Sequence, residues 1–261
     1  MMGSKRMIHP TAIVDSAAEI AEGVEIGPYA VIGANVQIGA GTKIYPHAVI
    51  DGNTTIGPGC EIFPGAVIGL RCQDLKYKDE TTFVRIGEGT TIRECVTINS
   101  STGEGGETVV GRNCMLMAYC HVAHNCVVGD EVVMANLASL SGHITIEDKA
   151  ILGGLVGVHQ FVRIGTMSMT GGASKVIQDV PPYGLSDGNP CSVRSLNIVG
   201  LKRGGMSRET REALHHVFKT LFFDGHPTDR AIELVEAEGP LLPEVKHLVE
   251  FVRASERGVG R

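Results

Sequence analysis

The feature that most constrains this chain is a period of six. Counting every sixth residue from Ile8 gives Ile8, Val14, Ile20, Ile26, Ile32, Ile38, Ile44, Ile50, Ile56, Ile62 and Ile68, all aliphatic. The series resumes at Ile86, Ile92 and Ile98, then runs from Val110 through Leu116, Val122, Val128, Met134, Leu140, Ile146, Leu152, Val158 and Ile164. Its first polar member is Thr170, and Val176 closes it. The next residue is often glycine, as at Gly27, Gly33 and Gly39, and the fifth position is small or β-branched, as at Ala12, Val24 and Thr42. Six is neither the helical 3.6 nor a free-standing alternation of two. It fits short strands joined by tight turns and wound into a three-faced prism of about eighteen residues per coil. Positions one and five then point inward, and the other four mostly outward.

The cysteines test that assignment. Cys60, Cys114, Cys120 and Cys126 all hold the inward fifth position and read as small buried hydrophobes, while Cys72, Cys95 and Cys191 fall outside it. An odd count of 7 with no CxxC pair argues against a disulfide framework or a structural zinc site. The 34 glycines, absent tryptophan and 5% aromatics suit a narrow interior of small and aliphatic side chains. A net charge of -6 argues against a general nucleic-acid or membrane-surface protein. The start, MMGSKRMIHP, lacks the apolar run of a signal peptide, and no run approaches the roughly 20 residues needed to cross a bilayer. A cytoplasmic protein without stable membrane insertion is expected.

Two segments break the rhythm, near 70–85 ("LRCQDLKYKDETTFVR") and 100–109 ("SSTGEGGETV"), and are predicted to be loops thrown out of the prism. In repeat proteins such insertions gather on one face and commonly form the binding surface. "DVPPYGLSDGNP" ends the coil, so residues 1–190 are expected to form the prism and 191–261 a small helical domain. Ser207 is placed to cap a helix reaching about Phe223, with further helices at Thr228 to Ala237 and Glu244 to Ala254.

Within "MAYCHVAHNCVVGD", His121 holds a sixth position and His124 a third, so neither takes an inward slot. His143 and His159 also point outward. Adding eighteen to 124 reaches Gly142 and then Gln160, on coils separated by roughly 4.8 Å. His143 likewise falls above Asn125, and His159 above Ser141. His124, Asn125, Gly142, His143, His159 and Gln160 therefore form one polar edge, with His121 nearby. Histidines of adjacent subunits could hold zinc, yet no carboxylate lies between Met115 and Val128, and His121 and His124 are not set up to share one ligand. A general base fits better: an exposed imidazole can take a proton from a hydroxyl and be oriented through its other nitrogen. The N–H of Gly142 could stabilise an oxyanion, and glycine lets a substrate approach closely. That combination describes acyl transfer, with no metal or other cofactor.

The hexads together with "QDLKY", "HVAHNC", "SGH", "VHQF", "QDVPPY" and "NIVGLKRGGMSRE" resemble the UDP-N-acetylglucosamine O-acyltransferases, the first enzymes of lipid A synthesis. The resemblance implies a homotrimer of left-handed parallel β-helices, each with a helical tail, and active sites between subunits. It implies direct attack by the sugar 3-hydroxyl on a 3-hydroxyacyl acyl carrier protein, without an acyl-enzyme. On matching positions His124 is the base and the Gly142 amide the oxyanion donor. Gln73, Asp74, Lys76, His121, His143, His159 and Gln160 would hold sugar and acyl chain, and Asn197 and Arg203 would meet the nucleotide. Gly172 would mark the end of the acyl groove and, lacking a side chain, admit a chain of roughly C14 rather than C10. Handedness comes only from the resemblance, because the general preference is for right-handed crossovers.

Three positions depart from the family's pattern. Asn125 stands where aspartate usually follows the base. An amide carbonyl can fix the imidazole tautomer but cannot stabilise an imidazolium as a carboxylate does, so Asn125→Asp is expected to raise activity or leave it unchanged. Asn99 replaces a histidine and Val199 an acidic residue, which bears on whether the acceptor carries a hydroxyl or an amine. A related N-acyltransferase family carries Asn after the base, but it also carries a uridine-binding domain before the repeat, and here the hexads begin at Ile8. A non-catalytic β-helical scaffold would explain the repeat but not the outward histidines. From Cys191 to Lys219, Arg194, Lys202, Arg203, Arg208, Arg211 and Lys219 outnumber Glu209 and Glu212, a local excess suited to an acidic carrier protein.

Overall fold

A computed structural model describes residues 7–260. Each hexad becomes a two-residue strand and a turn, and strands eighteen residues apart pair in parallel. Glu25–Ile26 lies on Lys43–Ile44, which lies on Glu61–Ile62. Three ladders of 11, 9 and 8 strands form the faces of a left-handed β-helix. The right-handed rule arises where a helical crossover packs back onto its sheet; no helix intervenes between these strands, so that argument has no purchase here.

The first position of each hexad fills the axis: Ile44, Ile62, Ile92, Leu116, Val122 and Leu140 are all buried. The fifth position packs beside it, through Ala30, Ala48, Cys60, Cys114, Cys120 and Cys126. Cys191, outside the repeat, is drawn into the same core, and Cys72 is buried just beyond the strand that ends at Leu70. The fourth position makes the turn. On one corner Tyr119, Leu137 and Leu155 take φ of 63°, 66° and 62°; on the next Asn125, His143 and Phe161 take 57°, 60° and 63°. The third position is proline at Pro28, Pro46, Pro58 and Pro64, because the coil-to-coil ladder does not use its N–H.

The insertions are shorter than the sequence suggested. Leu70 ends the strand Val67–Leu70, and Phe83–Ile86 and Glu107–Val110 are four-residue strands paired with each other, leaving loops at 71–82 and 100–106. The flanking residues keep backbone partners in the ladder, and that extra pairing outweighs the lost hexad spacing. The strand Gly184–Asp187 extends the first face, and Ser192–Leu196 pairs with it antiparallel. The expected boundary at residue 190 therefore falls inside a hairpin rather than in a linker.

Four helices follow: α1 (Ile198–Arg203), α2 (Arg208–Phe222), α3 (Thr228–Ala237) and α4 (Pro243–Arg253). The Ser207 hydroxyl caps α2 by accepting from Thr210 N–H. The sequence reading missed α1, which is too short to show a helical period. Leu201, Leu214, Phe218, Val235 and Leu248 make the helical core together with Tyr183 and the hairpin residues Val193 and Leu196. The tail is fastened to the last coils: His247 Nε2 meets Glu147 at 2.8 Å, the Arg163 guanidinium lies 4.1 Å from the Phe251 ring centre, and Ser255 donates to Asp179 at 2.7 Å. No helix of the described residues is long and apolar enough to cross a membrane.

Candidate active site

Loop 71–82 forms one side of an open cleft of about 570 Å³ beside the second face. Gln73, Asp74, Leu75 and Lys76 line one side; His121, His124, Ser139, Ser141, Gly142 and Gln160 line the other. Seven of the residues singled out from the sequence thus meet in one place, from segments far apart in the chain. The loop's bend is set locally: the Asp74 carboxylate accepts from Lys76 N–H at 2.9 Å, and Asp74 N–H points to the Cys72 sulfur at 3.2 Å. Leu75 between them is fully exposed.

His124 is outward of the core, as its hexad position requires, but it is not the exposed imidazole expected, with only 7% of its surface accessible. Gly142 explains why. The ring lies over the Gly142 α-carbon, and a methyl group there would collide with the ring's Cε1 and Nε2. The His124 Nδ1 sits 2.9 Å from the Asn125 Oδ1. His143, one coil up, meets His124 edge to face at 5.1 Å and stacks on Phe161 at 4.8 Å. The His121 Nδ1 is held at 2.7 Å by the Thr97 hydroxyl. Burial keeps His121 below the ordinary histidine pKa, and nearby His124 works in the same direction. His143 is lowered by burial and by His124, against a smaller opposing pull from Asp74. Neutral imidazoles are therefore favoured around His124 near neutrality.

The Gly142 N–H has a counterpart elsewhere in the repeat. At three third positions of the repeat the N–H reaches outward to an anionic oxygen: Arg112 N–H donates to Asp130 at 2.7 Å, Asp130 N–H to Asp148 at 2.8 Å, and Thr166 N–H to Glu147 at 2.8 Å. The Gly142 N–H occupies the same position and takes no acceptor among the described residues. It opens on the cavity that His124 lines, so a proton acceptor and an oxyanion donor share one wall.

The other predicted residues lie apart from this cavity. His159 is exposed, between Gln160 O and the Arg257 guanidinium, each 3.3 Å from its Nδ1. Gly172 sits one coil above Gly154, whose carbonyl oxygen a side chain there would approach to 3.2 Å. The Asn197 side chain caps α1, accepting from Gly200 N–H at 3.1 Å and donating to Met167 O at 3.0 Å. Arg203 is exposed at the end of α1. Of the basic run, Arg208 pairs with Glu212, Lys219 with Asp224, and Arg211 donates to Met206 O. Among the described residues no three His, Cys, Asp or Glu side chains converge as metal ligands.

The sequence places Ser141 beneath His159 without giving it a role, and it passes over Ser139, although Ser139 lies eighteen residues beyond His121 and the same arithmetic reaches it. Thr97 and Thr102 were also missed. The insertions put Thr97 twenty-four residues before His121, out of the eighteen-residue step, and place Thr102 inside a loop outside any register.

Comparison with known proteins supplies the family. The family described as UDP N-acetylglucosamine O-acyltransferase, domain 2, matches residues 179–260, and the bacterial transferase hexapeptide repeat matches 35–70 and 107–142. An acyl-[acyl-carrier-protein]--UDP-N-acetylglucosamine O-acyltransferase of Burkholderia orbicola is 49% identical over 259 residues, 97% of this chain and 99% of its own. The structure of LpxA from Acinetobacter baumannii, at 43% identity, superposes with a TM-score of 0.94 over 98% of this chain and 100% of that one. The Arabidopsis UDP-N-acetylglucosamine acyltransferase structure, at 34% identity, gives 0.89 over 98% of this chain and 100% of its own. Repeat, helical tail and loop-covered histidine wall together place this chain in the UDP-N-acetylglucosamine O-acyltransferase family.

Proposed function

We propose that this chain moves a 3-hydroxyacyl group from acyl carrier protein to the 3-hydroxyl of UDP-N-acetylglucosamine, the first step of lipid A synthesis. The observation that carries the reading is the single wall holding the His124 imidazole and the unpaired Gly142 N–H. The sugar O3 attacks the thioester carbon while its proton passes to His124 Nε2. The Gly142 N–H takes the oxyanion, in the way that its counterparts take carboxylate oxygens. Collapse breaks the C–S bond, and the imidazolium returns its proton to the departing thiolate. Direct attack is favoured over an acyl-enzyme because the nearest thiols are unsuited to nucleophilic work. Cys120 and Cys126 face the core, and burial pushes both up to about 11.

Gln73, Asp74, Lys76, His121 and Gln160, together with His143 behind the base, would hold sugar and acyl chain. His159, Gly172, Asn197 and Arg203 stand away from the cavity, which supports their belonging to a site completed by another copy of the chain. The corner formed by Tyr119, Leu137 and Leu155 points the same way. These apolar residues are 59%, 47% and 62% exposed, stacked on successive coils, and each holds a left-handed backbone that costs a non-glycine residue of order 1 kcal/mol. Burial against a second copy in a homotrimer accounts for the column. The carrier protein, being acidic, would approach Lys202 and Arg203, which no carboxylate of the described residues pairs.

An acyl-transfer assay with UDP-N-acetylglucosamine and acyl carrier proteins of different chain lengths tests the reading. His124→Ala is expected to lose roughly 100-fold or more in kcat/KM. Longer chains should be preferred, and Gly172→Met should move the preference toward shorter ones. Retention of most activity by His124→Ala would remove the assignment of the base.

A further inference from the structure

The Asn125 amide is held more closely than its role beside His124 requires. Its Oδ1 accepts from the Thr102 backbone N–H at 3.1 Å and from the Thr102 hydroxyl at 3.0 Å, while its Nδ2 donates to the Thr102 carbonyl at 3.1 Å. The Asn125 N–H in turn donates to the Thr108 hydroxyl at 3.0 Å, and its φ of 57° is one that asparagine tolerates well. Turning the amide over would set Nδ2 against the Thr102 N–H and Oδ1 against the Thr102 carbonyl, two like-with-like contacts at one residue. The orientation is therefore set by Thr102, whose main chain and hydroxyl act together on the amide.

That orientation settles the proton on His124. An amide oxygen at 2.9 Å accepts only, so Nδ1 carries the hydrogen and Nε2 keeps its lone pair. We infer that Thr102 is a positioning residue of the acyl-transfer site: it locks Asn125 with its oxygen toward His124 and so selects the tautomer that can act as a base. The loop carrying Thr102 is itself pinned to the substrate-side loop. Gly105 N–H donates to Thr81 O at 2.8 Å, and Thr81 N–H to the Glu104 carboxylate at 3.1 Å. The two insertions thus act as one unit, one facing the substrates and the other orienting the base.

The arrangement reverses the expectation for Asn125→Asp. A carboxylate would bring an anionic oxygen against the Thr102 carbonyl in place of the Nδ2 donor and lose a bond that the amide makes. The benefit of a charged partner for imidazolium is then outweighed by repulsion at the loop.

This inference rests on the proposed reaction, so the test reads the base both with and without turnover. Nitrogen-15 NMR of imidazole-labelled protein reports the His124 tautomer without substrate. The Nδ1–H form is expected in wild type and Thr102→Ser, with a detectable share of the Nε2–H form in Thr102→Val. In the acyl-transfer assay Thr102→Val should lose roughly threefold to tenfold in kcat with KM for the sugar nucleotide little changed, and Thr102→Ser should recover most of it. Asn125→Asp should lose about tenfold or more in kcat. Equal kcat and equal tautomer populations in wild type and Thr102→Val, or full activity in Asn125→Asp, would overturn the inference. A wild type with the Nδ1–H tautomer but no acyl transfer would instead remove the proposed reaction.

Discussion

Two corners of this prism use the same turn for opposite ends. In three successive coils both corners turn on a left-handed residue, yet one presents Tyr119, Leu137 and Leu155, and the other His124 with Asn125, Gly142 with His143, and Gln160 with Phe161. The backbone is nearly identical, so the difference lies in the side chains at two of six positions. What the hexad supplies at each corner is a rigid mount: a buried aliphatic below it, an N–H directed outward, and a Cβ in a fixed place. Chemistry is added by choice of residue, and glycine is needed only where a neighbour already fills the space.

The polar corner can be broken at that last point. Gly142→Ala keeps the N–H but puts a methyl group where the His124 ring lies, and a loss of about 100-fold in kcat/KM is expected, nearly that of removing the base. A crystal structure of the variant should find the imidazole displaced and the coil unmoved. The apolar corner should fail differently. Leu155→Glu places a charge in the exposed column, and sedimentation should find assembly weakened at least tenfold while the far-ultraviolet circular dichroism is kept. Activity would recover at high protein concentration if the corner serves assembly alone, which separates it from the catalytic corner.

A subtler contrast sets the prism against its tail. Hydrogen bonding to Glu147 raises the pKa of His247, so its stabilising contribution is complete below the unfolded value near 6.5 and is lost as pH rises through the folded one. Burial lowers His121 and His143, so they favour the fold above that value and oppose it as pH falls. His247→Gln should therefore make thermal unfolding more sensitive to acid, by a degree or two in Tm between pH 5 and 8. An unchanged pH profile would mean the bridge, about a third exposed on the histidine side, is screened out.

Most of the fold was legible because the prism is periodic. Ile26, Ile44 and Ile62 announce the axis, and the step of eighteen alone stacks His124, Gly142 and Gln160, as the structure does. The same arithmetic could not follow the chain through 100–106, where Thr102 turns back to hold Asn125, since a loop contact obeys no register. Nor did it foresee the burial of His124, whose ring packs over the Gly142 α-carbon and edge-on against His143. The hairpin at Gly184–Leu196 was hidden for a related reason: its prolines and glycines read as an ending, and it is one, but an ending made of strand.

That ending bears on how the molecule avoids becoming a fibre. Any parallel ladder leaves a row of unpaired N–H and C=O groups on its last strand, a template for another chain. Here all three last strands are occupied. Ser192–Leu196 turns back antiparallel on the first face, Lys175 exchanges backbone bonds with Gly188 and Cys191 on the second, and Val180 bridges Ile164 on the third. The chain's final segment then returns, with Gly258 and Gly260 accepting from Asp179 and Val193. A self-templating stack that could have grown without limit is terminated by its own sequence.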